Sequence, residues 1–262
     1  MTRNPTLAVA LGSRLRECAN VITLGMQANL SGYSGREQEL IRNAPRIYYP
    51  GTAYADLFSI IGKSTFPSWQ TYRFVQDKIK QTALFQLLDI PHPKTRVFYG
   101  PKQKKEILEY FPYPFIAKIP RGSAMGAGVF LIRNQEDFSQ YCDLTRIAYI
   151  QEFLPVERDI RVVVIGRNIA HAYWRVAPPG EFRNNVAKGA EIRLDHVPES
   201  ALKLAEFTAR KCKWNDVGID LLMHQGNPYV LEANMKYGLA GFQKAGIDYT
   251  RLMEDKIAAG EI

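Results

Sequence analysis

The stretch VGIDLLMHQGNPYVLEAN, Val217–Asn234, decides how this sequence folds. Two apolar runs, Val217–Met223 and Tyr229–Asn234, flank Gly226, Asn227 and Pro228, residues that favour turns. The pattern predicts a β-hairpin. A hairpin that turns about Gly226 sets Asp220 opposite Glu232, and Asn234, two residues on, projects from the same face. Two carboxylates opposed on a sheet repel unless a cation lies between them. An exposed acidic face paired with lysines is the alternative, but the neighbouring positions are apolar. Two carboxylates and an amide make an all-oxygen donor set that suits Mg²⁺, whose other ligands are water and phosphate oxygens.

Upstream lie two more β-rich runs, Ile160–Ile165 and Ile169–Val176, around Gly166, Arg167 and Asn168. A three-residue turn there puts Asp159 across from Arg175, so Arg161 and Arg175 project from one side. Arg183, Asn184 and Asn185 follow, with Lys188 and Gly189 close by. Clustered arginines suit bidentate binding of phosphate or carboxylate. The alternative is a solvated basic face with each arginine paired to a neighbouring acid. Earlier still, RGSAMGAG (Arg121–Gly128) follows the apolar strand Phe115–Ile119, which carries Lys118. Gly122, Ser123, Gly126 and Gly128 free several backbone N–H groups to wrap a phosphate chain, although an ordinary hairpin connection has the same composition. Lysine in such a strand is costly unless its ammonium meets an anion or reaches back to solvent.

The remaining sequence predicts mixed α/β structure with antiparallel sheets. Strands are expected at Asn20–Leu24, Arg46–Tyr49, Thr95–Phe98 and Val129–Ile132. Helices are expected at Tyr33–Ala44, Thr52–Ile61, Lys102–Phe111 and Pro198–Lys213. One long helix is expected to start at Pro67 and Ser68, with Tyr72, Val75, Ile79, Ala83, Leu87 and Leu88 at helical spacing, and to end before Pro91. Gly62-Lys63-Ser64-Thr65 imitates the end of a Walker A loop. Leu57 stands where that motif needs glycine, and Phe66-Pro67 where it needs a helix, so a plain turn is expected.

The chain has 262 residues, 34 basic against 26 acidic, for a formal charge of +8. With 46% hydrophobic and 23% charged residues it is neither disordered nor fibrous, and the basic excess implies an anionic partner. Cys18, Cys142 and Cys212 show no zinc or redox spacing, and His92, His171, His196 and His224 show no metal-ligand spacing. No signal peptide or membrane span is evident, so a cytoplasmic protein is expected. A nucleic-acid-binding module would fit the charge, yet interleaved aromatic and basic repeats are missing. Nucleophilic side-chain catalysis has no support in the order of residues.

The order of these motifs resembles the ATP-grasp superfamily, and within it the RimK-like glutamate ligases. The matching stretches are DKIKQTALFQLLDIPHPKT (Asp77–Thr95), FIAKIPRGSAMGAGV (Phe115–Val129), IQEFLPVERDIRVVVIG (Ile150–Gly166), FRNNVAKGA (Phe182–Ala190), GIDLL (Gly218–Leu222) and VLEANMKYG (Val230–Gly238). The resemblance implies an ATP-grasp fold over residues 68–262, its first lobe at 68–150 and its second at 151–262, after a short α/β domain at 1–67. It implies that Lys118 contacts the α- and β-phosphates of ATP and that the Gly122–Gly128 loop closes over them. Glu152 and Phe153 match the linker that reads adenine, Asp159 a ribose contact, and Lys78 a lysine near the site. Arg183 and Asn185, with Asn184 between them, match the family's FRxN motif beside the transferred phosphate, and Arg161 and Arg175 join them. Asp220, Glu232 and Asn234 match the ligands of Mg²⁺, with Mn²⁺ as the substitute ion. The implied activity is carboxylate–amine ligation through an acyl phosphate, attaching glutamate or another amino acid to a peptide or small acid. The chain departs from the pattern at Gly189-Ala190, where paired glycines are usual, and at Met235-Lys236, where small residues are common. These departures lie toward the acceptor, and they leave the substrates, the general base and any oligomeric state open.

Overall fold

The structure, a computed structural model, describes residues 7–120, 128–178 and 189–262. The expected loop residues Gly122, Ser123 and Gly126, and Arg183, Asn184 and Asn185, lie outside the described residues. Three sheets follow one another along the chain. The first is built from β1 (Ala8–Ala10), β2 (Val21–Thr23), β3 (Arg46–Tyr48) and β4 (Ser64–Phe66), in the order β2-β1-β3-β4. Its strands are parallel, not antiparallel, with α1 (Gly35–Asn43) and α2 (Gly51–Ile60) among the crossovers that parallel pairing requires. Helix α1 starts on a capping box. Ser34 Oγ accepts from Glu37 N while the Glu37 carboxylate accepts from Ser34 N at 2.8 Å. The Gly62–Thr65 segment is not a plain turn, because Ser64 and Thr65 open edge strand β4. Lys63 Nζ donates to the carbonyls of Arg42 and Ala44, at 2.9 and 2.7 Å, which ties it to the chain and away from any phosphate.

The long helix expected from Ser68 is two helices, α3 (Trp69–Phe74) and α4 (Lys78–Leu87). Asp77 divides them. Its Oδ1 accepts from Ile79 N and Lys80 N at 3.1 and 3.2 Å, and this N-cap needs the extended backbone that it adopts. The restart rotates α4, so that Gln81, Thr82 and Phe85 are buried whereas Leu87 is 79% exposed. The second sheet comprises β5 (Thr95–Tyr99), β6 (Phe115–Lys118), β7 (Val129–Ile132) and β8 (Ile147–Glu152), antiparallel in the order β5-β8-β6-β7. The helix expected at Lys102–Phe111 forms two pieces, α5 (Gly100–Lys104) and α6 (Ile107–Tyr110), and α7 (Gln135–Leu144) covers the sheet with Phe138 and Tyr141.

The third sheet carries the chemistry. Strands β9 (Arg158–Ile165), β10 (Asn168–Val176), β11 (Glu191–Arg193), β12 (Asp216–His224) and β13 (Asn227–Asn234) are antiparallel in the order β11-β10-β9-β12-β13. One face packs Ile160, Val162, Val164, Ile219, Leu221 and Val230 against α8 (Glu199–Cys212) and Trp214. Each fully buried aliphatic side chain there contributes about 1.5–3 kcal/mol relative to exposure. Helices α9 (Ala240–Lys244) and α10 (Tyr249–Ala258) close the chain, and Phe242, Tyr249 and Met253 join a core shared with the first sheet.

Both hairpins reach the expected pairing by an unexpected route. Each turn is one residue shorter than expected: Gly166-Arg167 joins Ile165 to Asn168, and Gln225-Gly226 joins His224 to Asn227. Gln225 and Gly226 both have positive φ, at 49° and 81°, the signature of a hairpin turn whose twist matches its strands. Each hairpin then contains a β-bulge, between Ile169 and His171 and opposite the Asp220–Leu221 step, that restores the missing residue. The outcome is Asp159 opposite Arg175 and Asp220 opposite Glu232.

Candidate active site

The face of the third sheet opposite α8 brings together Asp159 and Arg161 from β9, Arg175 from β10, Asp220 from β12, and Glu232 and Asn234 from β13. Arg161 lies directly across from Asp220. Its guanidinium forks onto that carboxylate, with Nη2 at 3.0 Å from Oδ2, while Nη1 donates to the Tyr237 carbonyl at 3.3 Å. Arg175 grips both oxygens of Asp159 at 2.7 Å and also reaches Asp220 Oδ2 at 3.0 Å. All four side chains are less than a tenth exposed. Burial alone would discourage charge on Arg175, but Asp159 and Asp220 hold it charged. Both Asp159 oxygens thus accept from Arg175.

Glu232 meets Lys78, the first residue of α4, at 3.1 Å, and accepts from Asn234 Nδ2 at 2.8 Å. Burial works to raise the Glu232 carboxyl, yet Lys78, Lys118 and the Asn234 amide outweigh it and hold the group at about 2. Lys118 ends β6, buried, its ammonium 5.7 Å from the centre of the Tyr149 ring. Burial pushes it down to about 8, Glu232 and Asp220 pull it up, and Lys78 adds to the depression. Among the described residues Lys118 makes no direct ion pair, and Glu232 and Asp220 act on it only through space. Gly128 closes the far end of the glycine-rich segment by accepting from Ile119 N at 2.8 Å. Glu152 ends β8 and is tied to Lys94 twice, accepting from Lys94 N through Oε1 at 2.5 Å and donating from its own backbone N–H to the Lys94 carbonyl at 2.9 Å. Phe153 follows, half-buried, in the connection between the second and third sheets.

The donors of Asp220, Glu232 and Asn234 fit a hard divalent cation, being all oxygen and on adjacent strands. Among the described residues no group of three His, Cys, Asp or Glu stands close enough to hold a metal. No described helix is long and apolar enough to cross a membrane.

A profile of the RimK-like ATP-grasp domain matches residues 75–257. The chain belongs to the RimK-like ATP-grasp family. A probable alpha-L-glutamate ligase of Enterobacter sp. is 26% identical over 215 residues, covering 79% of this chain and 71% of the relative. The ribosomal protein bS6–L-glutamate ligase of Escherichia fergusonii is also 26% identical, over 210 residues, 77% of this chain and 70% of the relative. Among solved structures, a RimK domain ATP-grasp protein from Sphaerobacter thermophilus superposes with a TM-score of 0.70 at 18% identity, covering 95% of this chain and 98% of the other. The expected fold is thereby borne out, and with it an ATP-grasp enzyme of the carboxylate–amine ligase class.

Within this RimK-like site the structure adds residues that the motifs did not reveal. Gln81 of α4 clamps β13, donating to the Ala233 carbonyl at 3.0 Å and accepting from Ala233 N at 2.8 Å. Ala233 lies between Glu232 and Asn234, so Gln81 fixes both. The apolar spacing gave no signal for Gln81, which falls opposite the expected stripe of Tyr72, Val75, Ile79 and Ala83. Tyr237 packs over Gly218, where an added Cβ would stand 2.5 Å from Tyr237 Cβ and 3.0 Å from Arg161 Cδ. Asp216, on β12, accepts from Tyr237 Oη at 2.7 Å and Tyr49 Oη at 2.9 Å. Burial lifts its carboxyl to about 6 against these donors and Arg14. Nothing in the spacing of those residues pairs them; only the packing of the first sheet on the third does.

Proposed function

We propose that this RimK-like ligase attaches an amino acid, glutamate first among them, to a carboxylate of a peptide or protein, with Mg²⁺ held by Asp220, Glu232 and Asn234. The observation that carries the proposal is the single sheet face where Asp220–Glu232–Asn234 meets Arg161, Arg175, Lys78 and Lys118. The names of the two relatives support glutamate as the amine and a protein as one acceptor class. The positive charge of the chain suits an acidic acceptor.

The chemistry is the one that the resemblance to RimK-like ligases implies, and the charges of the site serve it. A substrate carboxylate attacks the γ-phosphorus of ATP and ADP leaves, giving an acyl phosphate. The amine then attacks the acyl carbon, phosphate departs with the bonding pair, and the amine's extra proton passes to solvent. Lys118 supplies a positive charge for the α- and β-phosphates, and no described carboxylate holds it in a direct ion pair. Arg161 and Arg175 hold Asp220 rigidly and keep guanidinium donors beside the place where phosphoryl charge would spread. A bound Mg²⁺ would neutralise phosphate charge and orient its oxygens. Lys78 competes for Glu232 in the same place, so metal and nucleotide together would draw Lys78 toward phosphate. Glu152 and Phe153 are assigned to adenine, and Gly122, Ser123, Gly126, Gly128, Arg183, Asn184 and Asn185 to the phosphates, from the resemblance of their motifs.

The test is ADP release from purified protein with Mg-ATP across pairs of amino acids and acidic peptides, with mass spectrometry of the product. Release with a product heavier by one amino-acid residue is expected, and it should disappear with EDTA. Absence of ADP release across the whole screen overturns the proposal.

A further inference from the structure

The proposed ligation needs a grip that the phosphoryl face does not supply. An amine that belongs to an amino acid brings a spectator carboxylate, which must be held apart from the carboxylate being activated. Outside residues 75–257, the part matched by the family profile, the described chain offers a suitable cation. Arg14 lies just after β1, in the junction between the first and third sheets. Its guanidinium carbon lies 4.7 Å from the centre of the Tyr237 ring and 5.0 Å from that of Tyr249, and the two hydroxyls meet at 3.1 Å. Nε donates to Tyr249 Oη at 3.1 Å, whereas Nη2 is buried with no hydrogen-bond partner among the described residues. Among those residues no carboxylate forms an ion pair with Arg14, and the nearby Asp216 is occupied by Tyr49 and Tyr237.

A buried guanidinium donor left unpaired is expensive, and native structures keep few of them. Two phenol rings and the bond to Tyr249 limit how this one can turn, and a guanidinium fork suits bidentate recognition of a planar carboxylate. The position suits a substrate. Tyr237, whose ring lies against Arg14, gives its carbonyl to Arg161, which holds Asp220. Arg14 is thus one residue removed from the phosphoryl face and not on it. A purely structural clamp between the sheets would explain the stacking on Tyr237 and Tyr249, but it gives Nη2 nothing to do.

We infer that Arg14 binds the free carboxylate of the amino acid whose amine attacks the acyl phosphate, so that the first sheet supplies part of the substrate site. This rests on the ligase function proposed above. The test is isothermal titration of L-glutamate, then of the other proteinogenic amino acids, into the full chain saturated with Mg²⁺ and a non-hydrolysable ATP analogue. Wild type should bind at least one of them, and the α-amide or the side-chain amide of that ligand should bind more weakly, naming the carboxylate held. Arg14→Gln should weaken amino-acid binding about 10- to 100-fold, and Arg14→Lys less so, with affinity for the ATP analogue unchanged in both. An amino-acid affinity within about twofold of wild type in both variants overturns the assignment, as does a wild type that binds the analogue but no amino acid. A fall in melting temperature without a change in affinity also overturns it, in favour of a structural clamp. If wild type fails to bind the ATP analogue at all, the proposed function fails first, and the two failures are told apart.

Discussion

A carboxyl group withdrawn from water ordinarily gains a proton, but Glu232 stays ionised because Lys78, Lys118 and Asn234 converge on it. Glu232→Gln removes that anion and leaves both lysines facing a neutral amide. ADP release should then fall by about 10²- to 10³-fold, measured by a coupled assay at saturating Mg-ATP. Lys118 gives the converse effect. Its pKa is depressed to about 8, so the side chain is a cation below that pH and loses its charge as pH rises through it. ATP affinity should therefore be fully present near pH 7 and fall about tenfold by pH 9, read by fluorescence titration of a nucleotide analogue. Lys118→Arg, which stays charged throughout, should flatten that profile.

At the level of strands and helices, the pairs Asp159–Arg175 and Asp220–Glu232 depend on compensations inside the two hairpins. Pairing of Asp220 with Glu232 was legible in the sequence, because it depends only on the number of residues between them. The division of those residues into a short turn and a bulge was not legible, since both arrangements yield the same cross-strand partners. The junction of α3 and α4 was hidden differently. Apolar spacing runs through it unbroken, and only the local capping chemistry of Asp77 stops the helix. Gln81 escaped because its hydrogen bonds go to the backbone of a strand 152 positions away. The glycine-rich segment and the FRxN motif were legible as motifs, although all of their residues but Gly128 fall outside those described. Gly218 offers a test of how tightly these elements fit. Gly218→Ala drives a methyl into Tyr237 and Arg161, which should cost about 1–3 kcal/mol. Circular dichroism should show a lowered melting temperature, and ADP release should fall as Arg161 loses its alignment.

Across the whole molecule, the first sheet is fastened to the third through Tyr49, Asp216 and Tyr237, all three less than a tenth exposed. Tyr49→Phe deletes one of the two hydrogen bonds that Asp216 accepts. The expected loss is about 1–3 kcal/mol, or a few degrees of melting temperature, with ATP affinity preserved because the phosphoryl face is untouched. The large basic excess, which at first indicated only some anionic partner, now divides, among the described residues of the site, into cations already paired and the unpaired Lys118 and Arg14. That pairing has a kinetic consequence. Four described cations on the proposed phosphoryl face, Lys78, Lys118, Arg161 and Arg175, stand against three anions, Asp159, Asp220 and Glu232. A bare divalent ion approaching first meets net repulsion, whereas ATP bearing its own metal arrives as an anion. Nucleotide and metal should therefore enter as one complex, ahead of any free metal ion.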